Sequence, residues 1–596
     1  MVVRSSYTVY FEPVGRSGRI DHDQSLLEMA RESGVKITSI CGGKGLCGRC
    51  KIQVIAGKTS PLTLKEYEGL TEEEIRENYR LACQVLPLSD LKIRVPHESL
   101  SSPQRTQLEG IEIPVTPDPV VSSYELKIDP PSFSDPEEYV EVVTKELKNC
   151  KRVSIEVLRG LIRKLRSLNW NADAIVRYGE LISINPLSSR NLGLALDIGT
   201  TKIAGYIVDL EKGETLISKG VMNPQIPYGE DVITRIAKAG KKKKEAKRLR
   251  NLVVRALNSL IRDMCAEIKA DPEEILDAVI VCNTVMHHLF LGLPVKKLGI
   301  SPYIPVLKSA MDVRAGEVGL KISPGAYVHI LPNIAGFVGG DHVAMILATD
   351  LWKYEGKVLA LDIGTNTEIC LSDHGKLTSV SCASGPAFEG GHIKNGMRAS
   401  NGAIDKVRIL DGRVKYNTIG GKNPIGICGS GILDAIAQLY LNGIIDESGR
   451  MKDHEMVRKT KEGKEFKITG PITVTQGDVR EVQLAKGAIS TGIQVLLEES
   501  DTSMDELEKI IIAGAFGTYM DVSSTVAIGM LPPLPLDLFE QVGNAAGMGA
   551  KLALISRRKR KEAKEIARKT RYIEIAEVPS FMKIFARSTF FGSMGA

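Results

Sequence analysis

The hexapeptide Ala195-Leu196-Asp197-Ile198-Gly199-Thr200 recurs as Ala360-Leu361-Asp362-Ile363-Gly364-Thr365, 165 residues further on. Each copy follows an apolar strand, Leu192–Leu196 or Val358–Leu361, and precedes another, Ile203–Val208 or Glu368–Leu371. One Asp-Ile-Gly hairpin is an ordinary turn, but two at matching positions imply a duplicated architecture with two related halves. Around them, from residue 191 almost to the C-terminus, apolar strands alternate with helical patterns, the signature of α/β layers. Such turns can grip phosphate. Gly199 and Gly364 permit close backbone approach, Thr200, Thr201, Thr365, Asn366 and Thr367 offer amides and polar side chains, and Asp197 and Asp362 can orient magnesium-bound water.

At 596 residues the chain is too long for a single core. Residues 1–96 read as a small mixed domain, with strands at Tyr7–Phe11, Lys51–Ile55 and Leu91–Val95 and a helix over Ser25–Ser33. Ser25 and Glu28 form a capping box there, and Gly34 is placed to end the helix. Residues 97–136, rich in proline (Pro114, Pro117, Pro119, Pro130, Pro131), read as an extended linker. Residues 137–190 regain helical character, notably Val153–Leu168, as a small middle domain, and 191–596 form the duplicated unit. The net charge of +6 is too small for this length to announce nucleic acid. Two basic stretches, Lys241–Arg250 and Arg557–Arg571, read first as solvated helix faces and second as docking surface for an acidic protein; no aromatic platform accompanies them. No long apolar run marks a leader or a membrane span, so a soluble, cytoplasmic protein is expected.

Four of ten cysteines cluster early. Cys41-Gly-Gly-Lys-Gly-Leu-Cys47-Gly-Arg-Cys50 has C-x5-C-x2-C spacing, and Cys83 follows after 32 intervening residues. Four thiolates can hold two irons while glycines let the loop wrap closely around a [2Fe–2S] cluster. Zinc also takes four cysteines, yet it favours paired C-x2-C knuckles, and only one pair is present. The first gap is one residue longer than in plant-type ferredoxins and resembles the adrenodoxin-like branch, which makes the domain a β-grasp ferredoxin by resemblance. The other six cysteines lack cluster spacing and read as buried thiols.

The C-terminal unit resembles the actin, sugar-kinase and heat-shock chaperone superfamily, whose fold is ribonuclease H-like and which binds ATP with Mg2+. The resemblance places phosphate-1 at Asp197–Thr201 and phosphate-2 at Asp362–Glu368. A small-residue helix at Ala335–Gly340 looks like the first hinge segment, and Gly543–Ala550 like the second. Ile512-Ala513-Gly514-Ala515-Phe516-Gly517 resembles the adenosine motif. Cys428-Gly429-Ser430-Gly431 opens an apparent helix, Ile432–Leu441, whose amides can face a nucleotide; a simple cap is the equal alternative. Asp197, Asp362 and Glu368 are the candidate catalytic carboxylates, with Glu389 a second candidate for orienting water.

A ferredoxin fused to such an ATPase is similar to the reductive activators of corrinoid proteins. Cys282–Gly292, Ala383–Gly390 and Gly396–Ala399 carry the same resemblance. It implies an enzyme that uses ATP to return one electron from a [2Fe–2S] cluster to a Co(II) corrinoid protein, regenerating Co(I). It also implies a low-potential electron donor and a homodimer, with no nucleic-acid or membrane partner. The energetic need for ATP is plain: from a ferredoxin near about −400 mV, an acceptor about 100 mV lower costs roughly 2.3 kcal/mol per electron. A redox-sensing small-molecule kinase and a chaperone-like scaffold with a structural cluster are the alternatives.

Overall fold

The computed structural model describes residues 6–12, 15–21, 23–33, 35, 37, 45, 50–96, 99, 108, 110, 114–132, 136–147, 150–229, 231–461, 463–592 and 594. In the N-terminal unit, β1 (Ser6–Glu12), β2 (Arg16–Asp21), β3 (Lys51–Ala56), β4 (Tyr79–Leu81) and β5 (Leu91–Arg94) form one mixed sheet in the order β2-β1-β5-β3-β4. The helix Leu26–Glu32 starts on the expected capping box, Ser25 with Glu28, and buries Leu26, Leu27, Met29 and Ala30 against Val9, Phe11, Ile52 and Ile93. Gly34 lies outside the described residues. Two short helices absent from the sequence reading, Leu64–Gly69 and Glu72–Arg76, begin on further capping boxes at Thr63 and Thr71.

The stretch read as an extended linker, 97–136, is not free spacer throughout. Between Pro119 and Pro130 the chain carries no proline, and β6 (Val121–Lys127) forms there. With β7 (Arg152–Val153), β8 (Asn171–Arg177) and β9 (Glu180–Asn185) it makes a sheet in the order β6-β8-β9-β7, so the middle unit starts earlier than position 137. Ser154 caps the helix Ile155–Ser167, whose Val157, Leu161 and Leu165 cover this sheet. Earlier linker residues lie on the C-terminal unit: Gly110 bridges Gly543, Tyr206 Oη donates to the Leu108 carbonyl at 2.8 Å, and the Asp118 amide donates to the Ile555 carbonyl at 2.8 Å.

The duplication is visible in the topology. In the first half, β10 (Leu192–Ile198), β11 (Lys202–Asp209) and β12 (Thr215–Met222) form an antiparallel meander. β13 (Ile275–Val281) and β15 (Tyr327–Ile330) extend it in parallel from β10, and β14 (Met311–Arg314) closes the edge. In the second half, β16 (Lys357–Ile363), β17 (Thr367–Asp373) and β18 (Lys376–Cys382) repeat the meander. Two small sheets follow in chain order, β19 (Ala403–Leu410), β20 (Arg413–Thr418) and β21 (Gly426–Ile427), then β22 (Val457–Thr460), β23 (Gly463–Thr469) and β24 (Ile472–Thr475). β25 (Lys509–Ala513) and β26 (Phe539–Gly543) then extend β16 in parallel, and β27 (Arg571–Tyr572) lies beside β18.

Alternation along β10 and β16 decides where the aspartates go. Leu194, Leu196 and Ile198 face one core, and Leu359, Leu361 and Ile363 face another; Ala195, Val358 and Ala360 face a shared central layer. Asp197 and Asp362 therefore point to the central layer's side of both sheets. That layer holds the helices Gly340–Ala348 and Ala545–Ile555, packed directly on one another. The first is shifted from its expected position. Ala335–Gly339 are non-helical, and Gly336 and Gly339 sit where a Cβ would stand 2.2 Å from the Tyr303 carbonyl oxygen and 2.3 Å from that of Cys282. One buried ion network fastens the units together: Asp277 accepts from Arg177 Nε at 3.0 Å and pairs with Arg560.

A Cβ at Gly549 would lie 2.0 Å from the Ala344 carbonyl oxygen, whereas nothing stands within 4 Å of that at Gly160. Gly549→Ala is expected to destabilise the protein by about 2 kcal/mol, while Gly160→Ala, inside the helix Ile155–Ser167, gains about 0.5 kcal/mol. Denaturant titration of the two variants checks both signs.

Candidate functional site

The cleft between the two halves is lined by both turns of the repeat: Gly199, Thr200 and Thr201 from β10–β11, and Gly364, Thr365 and Asn366 from β16–β17. Asp197, Asp341, Asp362 and Glu368 stand in the same cavity. The register of the two hairpins differs by one residue. Asp197 pairs with Ala204 across its hairpin, whereas Asp362 pairs with Glu368, so only the second half sets two carboxylates side by side on one face.

Buried polar side chains hold the first turn from behind. Asn283, which caps the helix Thr284–Leu291, donates to Thr200 Oγ1 at 3.0 Å; Asn223 donates to the Gly199 carbonyl at 2.9 Å. Arg235, wholly buried, donates to the Thr200 carbonyl at 2.6 Å and the Gly229 carbonyl at 2.8 Å. Asn544 caps the hinge helix Ala545–Ile555 and donates to Asp197 Oδ2 at 3.1 Å. The turns touch one another: Thr201 Oγ1 and Thr365 Oγ1 are 3.0 Å apart, and both donate to Glu389 Oε1, at 3.1 and 2.6 Å.

Gly514, Ala515 and Phe516 also line the cavity, following β25 beside β16. Gly514 has φ of +93°, and a Cβ there would lie 2.7 Å from Asp362 Oδ1, so only glycine fits. Phe516 stacks on Phe388 with ring centroids 4.7 Å apart and planes 8° from parallel, giving an apolar slab at the cavity edge. Cys428, Gly429 and Ser430 bring in the first turn of the helix Gly429–Leu441. Three expected residues are not in the lining. Thr367 is turned to Ser384, 2.9 Å away, Gly431 packs on Ile404, and Gly517 closes a tight turn on Ala513.

Burial of so many acids in one space is the site's dominant electrostatic fact. Burial raises Asp362 to about 6. Burial and then the neighbouring Asp362 raise Asp197 to about 7, and burial with Asp197 and Asp362 raises Asp341 to about 8. Glu368 is pushed well above the carboxylate range by burial, Asp341 and Asp362. A cavity of this charge favours a hard cation with its waters. Among the described residues, no group of three or more His, Cys, Asp or Glu stands close enough to hold a metal directly. Asp341 and Asn544 escaped the sequence reading: Asp341 is isolated from the repeat, and Asn544 was visible only as part of a small-residue segment.

At the other end of the chain, Cys50 Sγ and Cys83 Sγ face each other at 3.3 Å, well beyond a disulfide bond. Cys50 is fully buried in the N-terminal core, and Gln84 Nε2 stands 3.5 Å from Cys83 Sγ as a donor. Two thiols converging beside an amide donor fit cluster ligation. Cys41 and Cys47 lie outside the described residues.

Comparison with known proteins finds family matches along most of the chain, with the region named middle at 192–354 rather than at 137–190. Residues 9–88 match the family described as 2Fe-2S iron-sulfur cluster binding domain, 110–190 the RACo linker region, 192–354 the RACo middle region, and 356–596 the C-terminal domain of RACo, the ASKHA domain. Corrinoid activation enzyme RamQ of Eubacterium limosum is 32% identical over 96% of this chain and 97% of its own length. The [Co(II) methylated amine-specific corrinoid protein] reductase of Methanosarcina barkeri is 26% identical over 63% of this chain and 72% of its own. Among solved structures, a reductive activator for corrinoid, iron-sulfur protein superposes with a TM-score of 0.73 at 36% identity, covering 98% of both chains.

The acids of the cleft generate a pH dependence with a definite sign. Their folded pKa values lie above the ordinary 3.8, so the native protein holds protons that the unfolded chain has lost, and stability falls as pH rises through about 6 to about 8. Calorimetry in chelator should show the melting temperature declining from pH 5.5 to pH 8, with a shallower decline for Asp341→Asn.

Proposed function

Because this chain belongs to the RACo family, we propose that it carries out ATP-dependent reductive activation of a corrinoid protein, returning a Co(II) corrinoid to Co(I) with one electron. The observation that carries the reading is the union, in one chain, of a converging thiol pair with a phosphate-gripping cleft made from a duplicated turn. A [2Fe–2S] cluster held by Cys41, Cys47, Cys50 and Cys83 would supply the one-electron store. Everything else is work for the protein's own side chains.

Gly199, Thr200 and Thr201 on one side, and Gly364, Thr365 and Asn366 on the other, bind the phosphates of ATP through amides and hydroxyls. Gly514, Ala515 and Phe516, with the first turn at Gly429 and Ser430, receive the nucleoside. Asp197 and Asp362, whose pKa values burial raises, are the residues that would hold the water shell of Mg2+, which would supply positive charge beside the phosphates. Glu368 orients the attacking water. Burial, with Asp341 and Asp362 beside it, raises its carboxyl well above the usual carboxylate range, toward the range in which a general base works. The helices Gly340–Ala348 and Ala545–Ile555 form the hinge through which closure of the cleft changes the surface offered to the corrinoid protein. A low-potential donor refills the N-terminal unit, and the setting is the cytoplasm; among the described residues no helix is long and apolar enough to cross a membrane. The active species in this reading is a homodimer.

Reduced protein, a Co(II) corrinoid protein and Mg–ATP are mixed anaerobically and the Co(I) absorption is followed. The signal should need ATP, and Asp362→Asn should slow it by about 100-fold while leaving the visible absorbance of the N-terminal unit intact. Cys83→Ser should do the reverse, losing that absorbance while nucleotide binding persists. Absence of an ATP-dependent signal with every corrinoid protein tried would refute the assignment.

A further inference from the structure

The hairpin between β1 and β2 of the ferredoxin unit sits at the mouth of the nucleotide cleft. Glu12, the last residue of β1, accepts a hydrogen bond from Arg398 Nη1 at 3.0 Å, and both side chains are buried although 386 positions separate them. Gly15, with φ of +69°, brings its backbone so close that a Cβ would stand 3.2 Å from Arg398 Nη1. Arg16 at the start of β2 donates to the Ile425 carbonyl, and its guanidinium covers Gly426, two residues before the Cys428–Ser430 segment of the cavity wall. The hairpin therefore grips two strands of chain that border the phosphate site.

Arg398 belongs to that site as well. It lines the cavity, and its Nε stands 3.9 Å from Glu389 Oε2, the carboxylate whose other oxygen accepts from Thr201 and Thr365. A continuous path thus runs from the ferredoxin hairpin through one guanidinium to the hydroxyls of both phosphate turns. Phosphate entering the cleft competes with Glu389 for those hydroxyls and adds negative charge beside Arg398. A guanidinium prefers the anion that can engage it most fully, and a triphosphate offers more oxygens than one carboxylate.

Resting on the nucleotide reading given above, we infer that Glu12–Arg398 is a latch: Arg398 is a positioning residue contested by the ferredoxin hairpin and the nucleotide, and phosphate binding draws it from Glu12 and frees the hairpin. Linkage makes the effect reciprocal, so the docked hairpin weakens nucleotide binding by the same factor that nucleotide weakens docking. The coupling acts on the position of the electron-carrying unit without any change at its cysteines.

The test uses the full-length, cluster-loaded protein and Mg2+ with a non-hydrolysable ATP analogue. Calorimetric titration should show Glu12→Gln binding the analogue about fivefold tighter than wild type, the low end of ordinary site coupling. Hydrogen exchange is the second readout. In wild type the analogue should speed exchange of the β1–β2 amides, and in Glu12→Gln exchange should already be fast without it. Equal or weaker affinity in Glu12→Gln, with hairpin exchange indifferent to the analogue in wild type, overturns the latch and leaves the nucleotide reading standing. Failure of wild type itself to bind the analogue overturns both.

Discussion

The close crossing of two helices, Gly340–Ala348 and Ala545–Ile555, is the constraint on which the C-terminal unit is built. Their backbones touch because Gly549 presents no side chain to Ala344. A larger residue would push the helices apart, and with them the two sheets that pack on either side through Ala195 and Ala360. The aspartates at the strand ends lie next along those faces, so the helix spacing sets the distance between Asp197 and Asp362. Small residues in the hinge and acidic residues in the cleft are parts of one arrangement.

Concentrating Asp197, Asp341, Asp362 and Glu368 in one buried space runs against ordinary folding energetics, since each ionised group would lose its hydration and repel the others. Burial and mutual proximity hold their pKa values above the usual carboxylate range, and neutral donors surround them, such as Asn544 to Asp197 and Ser381 to Glu368. Local frustration of this sort is characteristic of a site that awaits a charged ligand. Thr201 and Thr365 meet on Glu389 in the same cleft, so each half of the duplication is in direct contact with the other before any ligand enters.

Much of this was legible beforehand, and the limits have physical causes. The repeated Asp-Ile-Gly-Thr turn exposed the duplication because the identical hexapeptide stands at the same place in both meanders, and Cys50 and Cys83 come together as their spacing implied. Thr367, Gly431 and Gly517 adjoin the site in sequence but not its lining: Thr367 turns to Ser384, Gly431 sits inside the helix Gly429–Leu441 against Ile404, and Gly517 packs on Ala513. Asp341, Asn544 and the contact of Glu12 with Arg398 depend on packing between remote segments, which no local pattern encodes. The strand Val121–Lys127 lies between Pro119 and Pro130, and its apolar residues, Val121, Tyr124 and Leu126, do not alternate along its whole length, so no period-2 signal offset the prolines. Helices at Thr63 and Thr71 were missed although their Thr-x-x-Glu boxes stand in the sequence, being too short for periodicity to register.

The fastening of the linker to the hinge, through Gly110 on Gly543 and Leu108 on Tyr206, makes it a leash with a fixed anchor. The N-terminal sheet ends near Val95, whose amide is tied to the Glu12 carbonyl. Between Pro96 and Leu108 the contour can extend at most about 40 Å. A domain on so short a leash is held near the cleft at an effective concentration on the order of millimolar. Contact between the ferredoxin unit and the cleft is consequently an intramolecular event, indifferent to dilution, whereas the meeting with a corrinoid protein is bimolecular and sets how activity scales with protein concentration.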